Sequence, residues 1–153
     1  MKPLKAAIAA TAMISGTVVY AQDDFSAQLK ARQGQMRIMA INLGILGGMA
    51  RGNIEYNADA AQAAADSLAG VAMINQGPLW PEGSGEDAIN GTLALPAIWS
   101  DNAGFMERWA AFQDGAAALQ AGASGGQAAL GPLMGQIGGA CQACHEKFQR
   151  ASN

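Results

Sequence analysis

The sequence predicts an all-α protein, an up-down-up-down four-helix bundle with a long loop between helices two and three. Three observations lead to this fold class. Apolar residues recur at spacings of three and four in four separate stretches, no stretch alternates polar and apolar residues over the length of a strand, and most joints between the stretches are short. The length of 153 residues suits one domain, and the 50% apolar fraction is rich in alanine, the best helix former.

Residues 1–21 have the pattern of an export signal. Lys2 and Lys5 precede an apolar run over residues 6–19, and the small residue Ala21 predicts cleavage before Gln22. The apolar run is shorter than the roughly 20 residues that a membrane span needs, so no membrane span is expected. We expect residues 22–153 to form the exported domain, which in a bacterium places it in the periplasm.

The first helix is predicted over residues 25–50 and carries two apolar stripes. The second stripe lies roughly 140° around the helix from the first, so the helix needs two partners. One stripe can pack inside the domain and the other against a second subunit, which predicts a homodimer through helices one and two. The first stripe is Leu29, Met36, Met39, Leu43, Leu46 and Ala50, and the second is Ile38, Ile41, Ile45 and Met49.

The second and third helices are predicted over residues 58–76 and 101–121. Asn57 is the candidate N-cap of the second helix, Gly77 and Pro78 form its stop, and Ser100 is the candidate N-cap of the third. Each helix has one buried face. These faces are Ala61, Ala65, Leu68, Val71 and Ala72 in the second helix, and Phe105, Trp109, Phe112, Ala116 and Leu119 in the third.

The fourth helix is predicted to end near Arg150, with Pro132 either in its first turn or kinking it. Its apolar face includes Leu130, Leu133, Met134, Ile137, Cys141, Cys144, His145 and Phe148. The joint over residues 77–99 is the exception to the short connections, since it holds three prolines and two tryptophans. A loop of this length in a small domain is usually functional or packed on something.

Cys141, Cys144 and His145 form a C-x-x-C-H motif, the signature of covalent c-type haem attachment. Residues i, i+3 and i+4 share one helix face, so both thiols can bond the haem vinyl groups while His145 reaches the iron. A redox dithiol normally accompanies a βαβ pattern, which is absent from the sequence, and a structural zinc site would lack its fourth ligand. The motif therefore predicts one covalently bound haem c per chain.

The remaining composition excludes several function classes. The chain has a formal net charge of −3 and its basic residues are scattered, so no nucleic-acid partner is expected. His145 is the only histidine, which leaves no distal histidine for general acid–base catalysis and argues against a haem enzyme. Only eight residues follow His145, and none is Met or His, so any sixth iron ligand must come from an upstream helix.

The chain resembles the class II c-type cytochromes, the cytochrome c′ family, over essentially all of residues 22–153. The resemblance is carried by the RQGQM segment at 32–36, the LWPEG loop at 79–83, the AIW step at 97–99 with Phe105 beyond it, and the CQACHEKF end at 141–148. A haem motif near the C-terminus of a four-helix bundle is the specific feature. The resemblance implies a homodimer with one haem per chain.

The resemblance also implies roles for residues of the first helix and the long loop. Met36 is the distal residue over the iron, Arg32 and Gln33 lie near the haem propionates, and Leu93 and Ala94 are weaker haem contacts. Arg32 lies on the apolar stripe one turn before Met36, where a propionate would be a good partner; alternatively, its stem packs and its head reaches solvent. Many members carry an arginine where this chain has Gln149. The electrostatics beside the proximal imidazole of His145 therefore cannot be carried over from those members.

Two functions remain open. The favoured one is a five-coordinate, high-spin periplasmic cytochrome that transfers electrons to and from redox partner proteins or binds small gases such as NO and CO. The alternative is a low-spin, six-coordinate electron carrier in which the Met36 sulfur binds iron. Methionine at helical spacing is also ordinary core filler, so its identity does not separate the two.

Overall fold

The computed structural model describes residues 24–151, so the predicted export signal and its cleavage site lie outside the described residues. Five α-helices occur in this part of the chain, together with two short 3₁₀ turns at Gly77–Leu79 and Ala123–Gly125. The helices are α1 (Ser26–Ala50), α2 (Ala58–Ala72), the single-turn α3 (Ala97–Ser100), α4 (Asn102–Gly122) and α5 (Gln127–Phe148).

The four long helices form a closed bundle, which confirms the predicted fold class. Helix α1 packs against α2 and α5, and α4 packs against the same two helices. Within residues 24–151 there is no strand, only an isolated antiparallel bridge between Ala94 and Gln149. No helix in this described part is long and apolar enough to cross a membrane.

The start of α2 agrees with the prediction, but its end does not. The side chain of Asn57 accepts a hydrogen bond from the Ala60 N–H at 2.8 Å, as an N-cap should. The helix ends at Ala72 rather than at Gln76. Asn75 explains the early end, because its side chain accepts from the Gly77 N–H and stabilises a turn instead of a further helical turn.

The N-cap predicted for the third long helix is wrong by one residue. Asp101, not Ser100, caps α4, because the Asp101 carboxylate accepts from the Gly104 N–H at 3.1 Å. Ser100 is instead the last residue of α3. The two helices are separated only by Asp101, whose φ of −129° and ψ of 58° are not helical.

The first apolar stripe of α1 and the predicted faces of α2 and α4 supply much of the main core. One member of the second α1 stripe was assigned wrongly, since Met49 is only 2% exposed and lies in the core. Residues 52–54 fold back over this end of α1, where the N–H groups of Asn53 and Ile54 donate to the Gly48 carbonyl. Ile38 and Ile41 face outward and are 47% and 64% exposed, whereas Ile45 is half-buried and packs against the core.

Helices α4 and α5 approach each other closely, and glycine permits both their contact and their connection. A Cβ on Gly115 would lie 3.1 Å from the Cα of Ile137, so a larger residue would push the helices apart. Gly126 has a φ of 109°, which favours glycine, and directly precedes α5. Pro132 lies inside α5, in its second turn rather than its first.

The long loop folds back onto the bundle at the end where α5 finishes. The N–H of Leu95 donates to the Phe148 carbonyl, and the N–H of Arg150 donates to the Leu93 carbonyl. Gln33 of α1 holds the loop from the other side, donating to the Gly91 carbonyl at 3.0 Å. The loop is thereby fixed across the end of the bundle where α5 finishes.

Candidate functional site

A cavity of about 370 Å³ lies between α1, α4, α5 and the long loop. Its volume is within the range of roughly 300–1,000 Å³ that is usual for small-molecule and cofactor sites. The structure brings every predicted site residue to this one cavity. They are Arg32, Gln33, Met36, Leu93, Ala94, Cys141, Cys144 and His145.

The last turns of α5 present the C-x-x-C-H motif to the cavity. Cys141 packs beside the main core, and Cys144 packs beside a small aromatic cluster of Ala94, Ile98, Phe105 and Phe148. Neither cysteine forms a disulfide, both are half-buried, and burial raises the pKa of each thiol above its usual value. His145, next on the same face, is exposed.

Arg32 places a guanidinium in the part of the cavity wall that α1 contributes. Its side chain is only 3% exposed, so the alternative of a head that reaches solvent is wrong. The guanidinium donates to the Ser84 carbonyl at 3.2 Å and stacks over the Trp80 ring at 4.6 Å. Its Nε has no hydrogen-bond partner in the described chain, and burial lowers the pKa of the group.

A buried pair of glutamines joins α1 to the residues after α2 on the same side of the cavity. Gln35 and Gln76 exchange amide hydrogen bonds of 3.1 and 3.3 Å, and the Trp80 indole N–H donates to the Gln76 oxygen at 3.0 Å. Sequence reasoning missed this network. The available signal was Gln35 itself, which lies on the inward face of α1 between Arg32 and Met39.

Met36 contributes an apolar side chain to the cavity from α1. It is half-buried and packs against the main core. Met39, one turn further along and buried, lines the cavity as well. The sequence marked Met39 only as core, because both methionines belong to the same apolar stripe.

Aromatic side chains form much of the remaining wall. Trp80 and Phe105 meet edge to face with ring centroids 5.1 Å apart, and Phe105 meets Phe148 in the same way at 5.5 Å. The predicted contacts Leu93 and Ala94 lie beside them, and Gln149 lines the cavity next to Phe148. The site is therefore a mostly apolar space with the motif in its lining.

The charged residues around the cavity have one sign. Arg32, Arg37 and Arg108 line it, and no aspartate or glutamate from the described residues does. This suits a group with an apolar body and carboxylates at its rim, which is the constitution of haem. Two thiols and an imidazole from α5, a buried guanidinium from α1 with an unpaired Nε, and aromatic side chains in the wall all fit covalently attached haem.

Comparisons with known proteins agree with this geometry. The cytochrome c′ family model matches residues 27–149. A cytochrome c′ of Cereibacter sphaeroides is 36% identical over 121 residues, which cover 79% of this chain and 81% of the relative. A cytochrome c-554 of the same organism is 34% identical over 152 residues, which cover 98% of this chain and 99% of the relative.

Solved structures show the same similarity. A cytochrome c′ from Rhodobacter superposes with a TM-score of 0.82 at 35% identity, covering 85% of this chain and all of that one. A nitric oxide complex of a variant cytochrome c prime from Alcaligenes xylosoxidans has a TM-score of 0.73 at 28% identity, covering 84% and 97%.

A four-helix bundle with a C-x-x-C-H motif in the last helix defines a c-type cytochrome that carries haem c. Within that class, the chain belongs to the cytochrome c′ family.

Proposed function

We propose that this chain is a monohaem cytochrome that carries electrons and binds small gases at the face of the iron opposite His145. The observation that supports this most directly is the single cavity shared by Cys141, Cys144, His145 and Met36. In this proposal the two thiols form thioethers with the haem vinyl groups and His145 is the axial iron ligand. When bound, the haem supplies one-electron chemistry and a coordination position.

Arg32 and Gln33 are proposed to face the haem propionates. Arg32 is buried with an unpaired Nε, and a buried cation is costly without an anionic partner. A propionate would supply charge-assisted hydrogen bonds. Leu93 and Ala94 are proposed to contact the haem from the loop.

Met36 is proposed to cover the sixth position without binding iron. Gly34, two residues earlier, has open space beside it. Each interior glycine costs a helix about 1 kcal/mol relative to alanine, and such a helix can yield when a gas enters. NO and CO suit an apolar position of this kind, and a relative has been solved as a nitric oxide complex.

The alternative function is a six-coordinate electron carrier in which the Met36 sulfur binds iron. Either form is proposed to act without enzymatic turnover, because an efficient haem enzyme needs a distal acid–base group. Among the described residues that line the cavity, the only histidine is His145, and no carboxylate lines it.

Export and dimerisation complete the proposal. The relative that matches 98% of this chain also aligns with most of residues 1–21, which supports a shared leader and a periplasmic location. Exposed apolar side chains on α1 and after α2 support a homodimer through these helices. The segments that carry them are neighbours, because Gln35 of α1 is hydrogen-bonded to Gln76, which follows α2. The exposed side chains are Ile38, Ile41, Met73 and Ile74.

Mass spectrometry after extraction with acidified acetone tests the haem assignment. The intact chain should retain the mass of one haem, because thioethers survive this treatment. Cys141→Ser with Cys144→Ser should abolish retention, and a His145 replacement should retain the mass but lose normal iron ligation. Haem that acetone extracts from the wild-type protein would overturn the proposal.

Sedimentation at micromolar concentration tests the dimer. The wild-type protein should show twice the mass of the chain, and Ile41→Glu should shift it to the mass of one chain. Ala40→Glu, a neighbouring exposed position on α1, is the matched control. A wild-type monomer at this concentration would contradict the interface.

A further inference from the structure

Three cationic side chains lie around the C-terminal turns of α5, and only one of them lines the cavity. Lys147 pairs with Asp101, and Arg150 pairs with Glu86. Both of these pairs lie outside the cavity lining. Arg108 of α4 lines the cavity together with Cys144, His145 and Gln149.

Arg108 has no carboxylate within 4 Å among residues 24–151, although it is half-buried. It extends from the same part of α4 as Phe105 and Trp109, which also line the cavity. The packing of α4 against α5 brings Arg108 to the part of the cavity that Cys144 and His145 line. A half-buried, unpaired charge acts over a longer distance than a solvated one because salt and water screen it less.

We propose that Arg108 is a potential-setting residue, a fixed positive charge beside the haem-bearing turns of α5 that stabilises the reduced haem. The proposal rests on the haem attachment proposed above. Ferrous haem carries one positive charge less than ferric haem, so a fixed cation favours the ferrous form. Coulomb's law makes this effect large for a charge in a half-buried wall, where the effective dielectric constant is near 20.

The other two arginines of the cavity are less suited to this effect. Arg32 is held by Ser84 and Trp80 and is proposed above to face a propionate, and Arg37 is exposed. Vinyl groups and propionates occupy opposite sides of the porphyrin, so a cation beside Cys144 is remote from the propionates that would neutralise it. Gln149 lines the same region without charge. Arg108 is therefore the cation whose charge remains uncompensated near the attachment edge.

Spectroelectrochemical titration of the haem-loaded protein tests the proposal. Arg108→Gln should reduce the ferrous-to-ferric ratio at a fixed applied potential by about threefold to tenfold, where tenfold corresponds to 59 mV for one electron. Arg108→Lys, which keeps the charge, should stay within about twofold of the wild type. Arg51→Gln removes the same charge from an exposed position outside the cavity and should leave the ratio unchanged.

Moving the charge gives a second readout. In the Arg108→Gln protein, Gln149→Arg should restore at least half of the lost ferrous stabilisation, since position 149 lines the same region. Arg108→Met, which keeps an unbranched stem, replaces Arg108→Gln if that variant fails to load haem. A midpoint potential that is unchanged in haem-loaded Arg108→Gln or Arg108→Met overturns this inference alone, whereas absence of covalent haem from the wild-type protein overturns the proposed function.

Discussion

The two ends of the bundle differ in whether their buried polar groups have hydrogen-bond partners. At the end where α1 joins α2, the Tyr56 hydroxyl donates to the Ala123 carbonyl at 3.0 Å and accepts from the Gly126 N–H at 3.0 Å. At the cavity end, the Nε of Arg32 and the side-chain oxygen of Gln28 are buried without partners in the described chain. The first end completes its own hydrogen bonding, and the second does not.

The two ends also differ in how completely their side chains fill the space between the helices. The main core is filled by alanine and leucine side chains that let the helices approach closely, with Leu46, Leu68, Leu119 and Leu130 fully buried. The aromatic cluster at the cavity end has only four buried members, Ala94, Ile98, Phe105 and Phe148, and surrounds an open space. We infer that the closed end is stable by itself, while the cavity end is completed by haem.

The largest expected effect on stability is at the closed end. Leu130→Ala removes a side chain with 0% exposure near the start of α5 and should lower the free energy of unfolding by about 2–5 kcal/mol, because the surrounding helices cannot collapse fully into the gap. Denaturant unfolding of the haem-loaded protein measures this, and the haem spectrum should not change. Met106→Ala, at an exposed apolar position, should cost less than about 0.5 kcal/mol. Equal losses in the two variants would contradict the comparison.

Preventing haem attachment should affect the other end. In Cys141→Ser with Cys144→Ser, amides of residues 77–96 and 141–148 should exchange with solvent at least about tenfold faster than in the haem-loaded protein. Amides of residues 58–65, in the first half of α2 at the closed end, should keep most of their protection. Hydrogen exchange with mass spectrometry resolves these segments. Uniform loss of protection along the bundle would show that the closed end also depends on haem.

A smaller effect is expected from the hydroxyl that closes the first end. Tyr56→Phe removes both hydrogen bonds and leaves the half-buried Gly126 N–H without its partner, so stability should fall by about 1–2 kcal/mol. Thermal unfolding measures the change, with Ser67→Ala on the exposed side of α2 as the control. A stability equal to that of the wild type would mean that water replaces the hydroxyl without cost.

The smallest effect is a pH dependence at the cavity end. The pKa of Asp101 lies below its usual value, chiefly because Lys147 donates to its carboxylate and also because it caps α4. A lowered pKa means that this stabilisation is present above about pH 4 and is lost as pH falls through the folded-state pKa. In Asp101→Asn the free energy of unfolding should therefore change less between pH 6 and pH 3 than it does in the wild-type protein. A change as large as that of the wild type would exclude Asp101 as a contributor to the pH dependence.

The sequence predicted the fold class and the chemical motif because both depend on local spacing. The C-x-x-C-H residues must share a helix face, and the periodicity of α2 and α4 identifies their buried sides. The errors concern the ends of helices, where side-chain hydrogen bonds decide the last or first residue and periodicity gives no information. Asn75 ends α2 early, and Asp101 rather than Ser100 caps α4. Met49 appeared to belong to the outer stripe because the sequence does not show where the chain folds back.

The parts of the site that escaped prediction depend on contacts between distant segments. The pairing of Gln35 with Gln76 and of Arg32 with Ser84 joins residues 41 and 52 positions apart. Arg108 carries no motif, and only the packing of α4 against α5 brings it to the cavity. The role of Arg32 was predicted from the family resemblance, and its place on an apolar stripe, which is a local signal, agreed with it.

The most direct test of the account is the optical and electron paramagnetic resonance spectrum of the ferric protein at neutral pH, with Met36→Ala beside it. If the haem occupies this cavity and Met36 only covers the iron, the wild-type protein is high-spin. Met36→Ala then remains high-spin or gains a water, and binds CO and NO faster after reduction. A low-spin wild-type spectrum with a sulfur-to-iron band in the far red, lost in Met36→Ala, would contradict the five-coordinate assignment.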